Sequence, residues 1–153
     1  MTKGEMYVRI SCGIDTIRIS RIGDLLKRKG DLFLNRVYTP EEQAYCLGKG
    51  KRQVESLAAR FAAKEAVSKA LGTGIGAAGV RFNDIEIYSD EGGKPILYLH
   101  GKAEEYFVHT GGISAEISMS HDADQAVAMC VMQFHDGNDT DDLRAFDGIT
   151  VGL

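Results

Sequence analysis

Residues 54–71 carry the pattern of one long helix, and no other segment of the 153-residue chain restricts its fold as tightly. Successive helical residues turn by about 100°, so Val54, Leu57, Ala58, Phe61 and Ala62 gather on a face that other parts of the chain must cover. Glu65 projects roughly 20° from Val54, within the same apolar stripe, and its carboxylate is expected to point inward. An ionised carboxylate taken out of water either neutralises or finds a cation. Lys69, one turn further along the same side, supplies the plain solution, an i,i+4 ion pair. The functional solution is that Glu65 serves a metal and Lys69 is aimed at an anion beside it.

With 44% hydrophobic residues the chain can bury a real core, and one domain is expected over 1–135. No run approaches the roughly 18 apolar residues of a membrane span, and the N-terminus lacks the apolar core of a secretory signal. A cytoplasmic protein without a membrane partner is expected. Cys12, Cys46 and Cys130 are odd in number and form no CxxC pair, so they read as small core hydrophobes and not as a disulfide or zinc framework. The net charge of −4 belongs to the end of the chain, where Asp136, Asp139, Asp141, Asp142 and Asp147 face Arg144 alone. Residues 136–153 therefore read as an acidic, poorly ordered tail. The neutral body, poor in aromatics around its basic patch, argues against a nucleic-acid binder.

Residues 7–14 alternate, and Val8, Ile10, Cys12 and Ile14 are expected to form the buried face of a strand. Asp15 then stands at a strand-to-helix junction, before a helix over 16–29 with Ile19, Ile22 and Leu26 inward and Gly30 as its stop. The other face of that helix carries Arg18, Arg21, Leu25 and Arg28 within roughly 80°. It is either a solvated face or a docking surface for an acidic partner, cations flanking an exposed Leu25. Thr39, Pro40, Glu41 and Glu42 start a helix ending near Leu47, and a basic loop over 48–52 precedes the long helix. Strands are expected at 84–88 and 95–99, joined by 90–94, followed by a helix at 102–109. Residues 113–119 alternate with Ile113, Ala115, Ile117 and Met119 inward, and the apolar run 126–134 suits a central strand. The turn 121–124 between them puts His121 at a strand end.

Asp15 and Glu65 are hard oxygen ligands on separate elements, with no His or Cys near them in sequence, which favours Mg²⁺ over zinc and a phosphate ester or anhydride as substrate. The simpler role for Asp15 is a helix N-cap. Lys49, Lys51, Arg52, Arg60, Lys64 and Lys69 surround the long helix and can hold a polyanion. The GTGIG run at 72–76 either allows close backbone approach to a ligand or merely caps the helix. His121 either meets phosphate or moves protons, or is idle.

These residues resemble the phosphopantetheinyl transferases of the small holo-acyl-carrier-protein synthase type. The matching stretches are GID at 13–15, RI at 21–22, RFAAKEAVSKA at 60–70, GTGIG at 72–76, DIEI at 84–87, GKP at 93–95 and ISMSHD at 117–122, within residues 7–134. The resemblance implies an α+β fold built on an antiparallel sheet with one long central helix. It implies transfer of phosphopantetheine from coenzyme A to a serine of apo acyl carrier protein, in support of fatty acid biosynthesis. By the same resemblance Asp15 and Glu65 bind Mg²⁺, Glu65 and Lys69 are catalytic, and Lys69 contacts the pyrophosphate. Lys51 and Arg52 suit the ribose phosphate, while Gly72, Thr73, Gly74, Gly76, Lys94, Pro95 and His121 line the nucleotide site. Arg21, Leu25 and Arg28 dock the carrier, and the protein is a homotrimer with active sites shared between subunits. The proton acceptor is either Glu65 or a metal-linked water. The tail exceeds the family's usual end, and its charge suggests weak competition with the carrier for the basic helix. A non-catalytic module that binds a nucleotide or an acidic protein is the alternative; it would tolerate Glu65→Gln.

Overall fold

The structure, a computed structural model, describes residues 7–136. A long strand β1 (Tyr7–Arg18) leads into helices α1 (Ile19–Lys29), α2 (Asp31–Val37) and α3 (Pro40–Leu47). The central helix α4 (Gln53–Leu71) follows, then a hairpin of β2 (Ile85–Ser89) and β3 (Pro95–Leu99), helix α5 (Gly101–His109), and strands β4 (Gly112–Asp122) and β5 (Gln125–Asp136). The main sheet is antiparallel in the order β1-β5-β4, so the most apolar strand is the central one, as its composition predicts. Helix α4 packs on β1 and β5, and the shorter helices and the hairpin gather around it. This is the expected α+β arrangement.

Strand β1 reverses the expected faces. Gly13 and Ile17 are buried, whereas Ile10 and Ile14 are 66% and 59% exposed. The reason is room. A Cβ on Gly13 would collide with the Ala66 carbonyl oxygen and stand 2.7 Å from the Ala70 nitrogen, so β1 lies directly on the α4 backbone. Ser11, on the same face, donates its hydroxyl to the Ala70 carbonyl at 2.6 Å. Period-two alternation marks two faces without saying which one a helix will cover, and here the side with the smaller residues wins. Gly13→Ala is expected to destabilise the protein by about 1–3 kcal/mol or more, since backbone cannot yield as a side chain can, read as a lower urea midpoint. Cys12 shares the outer face and is exposed, contrary to the core reading, while Cys46 and Cys130 are buried as expected. Burial pushes the Cys130 thiol up to about 12.

The strand also runs further than expected. Asp15 pairs opposite Ala128 inside β1 and is not a helix cap. Helix α1 is anchored instead by Asp124 of the β4–β5 turn, which accepts from the Ser20 backbone at 2.8 Å and from the Ser20 hydroxyl at 2.6 Å. Arg18, the last residue of β1, and Arg21 and Arg28 on α1 are exposed, but Leu25 is partly buried and packs on the core, so the exposed leucine expected between the cations is a half-covered one.

Helix α4 is enclosed on nearly every side, and that changes which charge is interior. Lys64, at the edge of the apolar stripe two turns after Leu57, is wholly buried and Arg60 nearly so, while Glu65 is half-buried. Lys64 Nζ donates to Glu42 Oε1 at 2.6 Å, to the Val37 carbonyl at 2.7 Å and to the Phe82 carbonyl at 3.1 Å. Glu42 also accepts from the Thr39 backbone at 2.9 Å, completing the capping box that starts α3, and from the Ile87 backbone at 3.1 Å. Burial lowers the Lys64 pKa against the opposing pull of Glu42. Lys64 thus ties α2, α3 and the hairpin to α4 and is not available to an incoming anion.

Among the described residues, no helix is long and apolar enough to cross a membrane. The acidic stretch 137–153 lies outside the described residues.

Candidate active site

Asp15, Glu65, Lys69 and Arg21 share one electrostatic neighbourhood, formed where β1 crosses the last turns of α4 with α1 alongside. Lys69 Nζ donates to Asp15 Oδ1 at 2.9 Å and to the Ile14 carbonyl at 3.0 Å, so its partner is across the β1–α4 contact and not one turn back at Glu65. Glu65 makes no ion pair within 4.0 Å and no side-chain hydrogen bond among the described residues. Burial and then the neighbouring Asp15 push its carboxyl above the ordinary glutamate value, against Lys69 and Arg21. Two carboxylates on different elements, one unpaired and penalised by the other, form a donor set suited to a hard divalent cation. Magnesium retains several waters and needs few protein oxygens. Among the described residues, no group of three or more His, Cys, Asp or Glu could hold a metal.

Beyond Lys69 the chain turns at Gly72, whose φ of 92° closes α4 through N–H bonds to Ser68 and Lys69 carbonyls. Gly74 donates to the Ser68 carbonyl and Gly76 to the Val80 carbonyl, and Thr73 Oγ1 donates to the Gly74 carbonyl. The loop therefore caps the helix, with those three glycine amides already engaged; what it offers a ligand is close backbone approach.

A cleft of about 340 Å³ opens along the other end of α4. Of the residues expected at a nucleotide, Arg52 and His121 line it; Lys51, Lys94, Pro95 and the 72–76 loop do not. Lys51 is exposed on the turn before α4, Lys94 stands 3.7 Å from Glu116, and Pro95 opens β3. His121 Nε2 lies 3.9 Å from Glu55 Oε2. The cleft also contains Tyr45, Ser56 and Ser89, which no local pattern singled out, and Arg60, read from the sequence only as one cation among several. Arg60 is 3% exposed, yet among the described residues its guanidinium meets no carboxylate: Nη1 donates to Ser56 Oγ at 3.0 Å, Nη2 to Ser89 Oγ at 3.1 Å, and Nε has no hydrogen-bond partner there. A buried cation without a counter-charge is destabilising by several kcal/mol in general, so an anion is the natural complement of this cleft. On the helical wheel Ser56 is roughly 180° and Arg60 roughly 140° from Glu65, so one chain presents the cleft and the carboxylates on different sides of α4.

A half-buried carboxylate beside a second carboxylate and a lysine, on the same helix as a cationic cleft, is a charge arrangement suited to a phosphorylated small molecule. The chain belongs to the 4'-phosphopantetheinyl transferase superfamily, whose sequence profile matches residues 11–130. It is 44% identical over 124 residues to the holo-acyl-carrier-protein synthase of Koribacter versatilis, covering 81% of this chain and 98% of the relative. The crystal structure of the Neisseria meningitidis holo-acyl-carrier-protein synthase is similar with a TM-score of 0.73 and 38% identity, over 80% of this chain and 96% of that one. The Helicobacter pylori enzyme in complex with coenzyme A is similar with a TM-score of 0.69 and 38% identity, over 79% and 98%.

Proposed function

We infer that this protein is a holo-acyl-carrier-protein synthase, transferring phosphopantetheine from coenzyme A to a serine of apo acyl carrier protein and releasing adenosine 3',5'-bisphosphate. The observation that carries the reading is the meeting of Asp15, Glu65 and Lys69 at the β1–α4 crossing. The coenzyme A complex of the Helicobacter pylori relative supports it.

In this reading Asp15 and Glu65 hold Mg²⁺, which when bound neutralises charge on the diphosphate of coenzyme A. Lys69 leaves its partner Asp15 to meet the same diphosphate through charge-assisted hydrogen bonds. The serine oxygen attacks the phosphorus that carries the pantetheine, and the bond from that phosphorus to the bridging oxygen breaks, so the electron pair leaves with adenosine bisphosphate. The serine proton passes to Glu65 or to a water beside it. Such chemistry asks the protein for charge and in-line positioning more than for a covalent intermediate. Arg52, Arg60 and His121 in the cleft, with Lys51, Lys94, Pro95 and the 72–76 loop, hold the nucleotide. Arg21 and Arg28, with Leu25 between them, dock an acidic helix of the carrier.

The assembly is a homotrimer with shared active sites. Two observations support association: Ile10, Ile14 and Met129 leave one face of the sheet apolar and exposed, and the cleft and Glu65 lie on different sides of α4. The site is cytoplasmic and the product carrier serves fatty acid synthesis. The test is incubation with apo carrier, coenzyme A and Mg²⁺, followed by mass spectrometry of the carrier. A phosphopantetheine adduct is expected, lost when EDTA replaces the metal; no adduct on any of several carriers would remove the assignment.

A further inference from the structure

The cleft carries two cations on one aromatic ring. The Arg60 guanidinium carbon and Lys49 Nζ each stand 4.3 Å from the centroid of Tyr45. Glu55, the carboxylate lining this cleft, is turned to His121, so neither cation has an acid for a partner among the described residues. The two charges arrive by different routes. Arg60 is buried on α4, pinned by Ser56 and Ser89, whereas Lys49 stands exposed on the loop after α3 at the end of a flexible stem. Tyr45 belongs to α3, one turn before Lys49, and is the group that touches both.

We propose that Tyr45 sets the preference for a donor bearing a phosphate monoester at the ribose 3' position, by holding Lys49 and Arg60 on one ring where a single phosphate meets both. The proposal rests on the reading of the cleft as the coenzyme A site and deepens it. The face of an aromatic ring attracts cations, which lets two like charges sit close together, but it neutralises neither. A phosphate dianion does, and it finds the mobile lysine already placed, so less rotamer freedom is lost on binding. A nucleotide without the 3' monoester gains nothing from the clamp. Tyr45 is therefore a positioning residue, and its removal should be felt by one class of ligand only.

The experiment is titration calorimetry of adenosine 3',5'-bisphosphate and adenosine 5'-monophosphate on the full chain, comparing the natural protein with Tyr45→Phe and Tyr45→Leu. The natural protein should favour the bisphosphate, and Tyr45→Phe, which keeps the ring, should preserve that preference within about twofold. Tyr45→Leu should lose about tenfold of the preference, all of it through weaker bisphosphate binding. An unchanged preference in Tyr45→Leu overturns the proposal, as does an equal weakening of both nucleotides, which would mean a merely structural role. A loss in Tyr45→Phe as large as in Tyr45→Leu overturns it too, by assigning the effect to the hydroxyl. Should Tyr45→Leu fail to fold, Lys49→Gln reads the same clamp: it must lower the bisphosphate preference about fivefold, and no change overturns the proposal. A natural protein that binds neither nucleotide overturns the coenzyme A reading of the cleft itself, an outcome distinct from all the others.

Discussion

Glu65→Gln should cut carrier modification about a thousandfold while carrier affinity stays within about twofold, because the change removes charge and basicity at one oxygen and leaves the docking helix untouched. The same variant carries a second signature, of opposite sign. Burial and then Asp15 raise the Glu65 pKa above its unfolded value. A group raised in this way stabilises the fold below the unfolded value, and that contribution is lost as pH rises through the folded value. At neutral pH in EDTA the ionised Glu65 therefore weakens the native state, and Gln relieves it. Thermal unfolding in EDTA should show the variant more stable than the natural protein at pH 7, with the gap closing toward pH 4. Mg²⁺ should then stabilise the natural protein more than the variant. Turnover near the natural rate in Glu65→Gln would remove this carboxylate from the chemistry and favour a binding module.

The largest expected loss of stability comes from a different residue, the lysine next to it. Lys64→Ala leaves Glu42 charged and sealed from water, with only the Thr39 and Ile87 amides as donors, and two carbonyls lose their hydrogen bond. Breaking one side of a buried pair typically destabilises by about 3–5 kcal/mol, a large share of what a domain of this size possesses. Urea unfolding reads the loss directly. The double change Lys64→Met with Glu42→Gln should recover much of it, since no uncompensated charge remains. If Lys64→Ala and the double change unfold at the same urea concentration, the pair is not the fastener described here. Lys64 has a functional consequence as well: it fixes the rotation of α4, and Glu65, about 100° around the wheel, faces Asp15 only while that rotation is held.

How much of this was legible in the chain differs residue by residue. Local elements were, because they depend on neighbours a few positions away: α4 begins within one residue of its expected start, and Thr39 caps α3 as its sequence indicates. The central place of β5 was also legible, since a strand covered on both faces must be apolar throughout. The gathering of Asp15, Glu65 and Lys69 was anticipated from their motifs, though not the pairing of Lys69 with Asp15.

What escaped the sequence has one physical cause. Alternation and helical period sort residues into faces, but burial depends on what is laid against each face, and that comes from distant parts of the chain. Hence the inner side of β1 is the one with Gly13, chosen by the α4 backbone pressing on it, and the interior charges of α4 are Arg60 and Lys64 and not Glu65. The cleft follows the same rule, because Tyr45, Ser56, Arg60 and Ser89 converge from three elements and bear no common local signature. Element type and the chemistry of the motifs were thus properties of short stretches of chain. Orientation, partner choice and the shape of the binding site were settled only when those stretches packed, since sterics and desolvation act between surfaces that sequence order does not bring together.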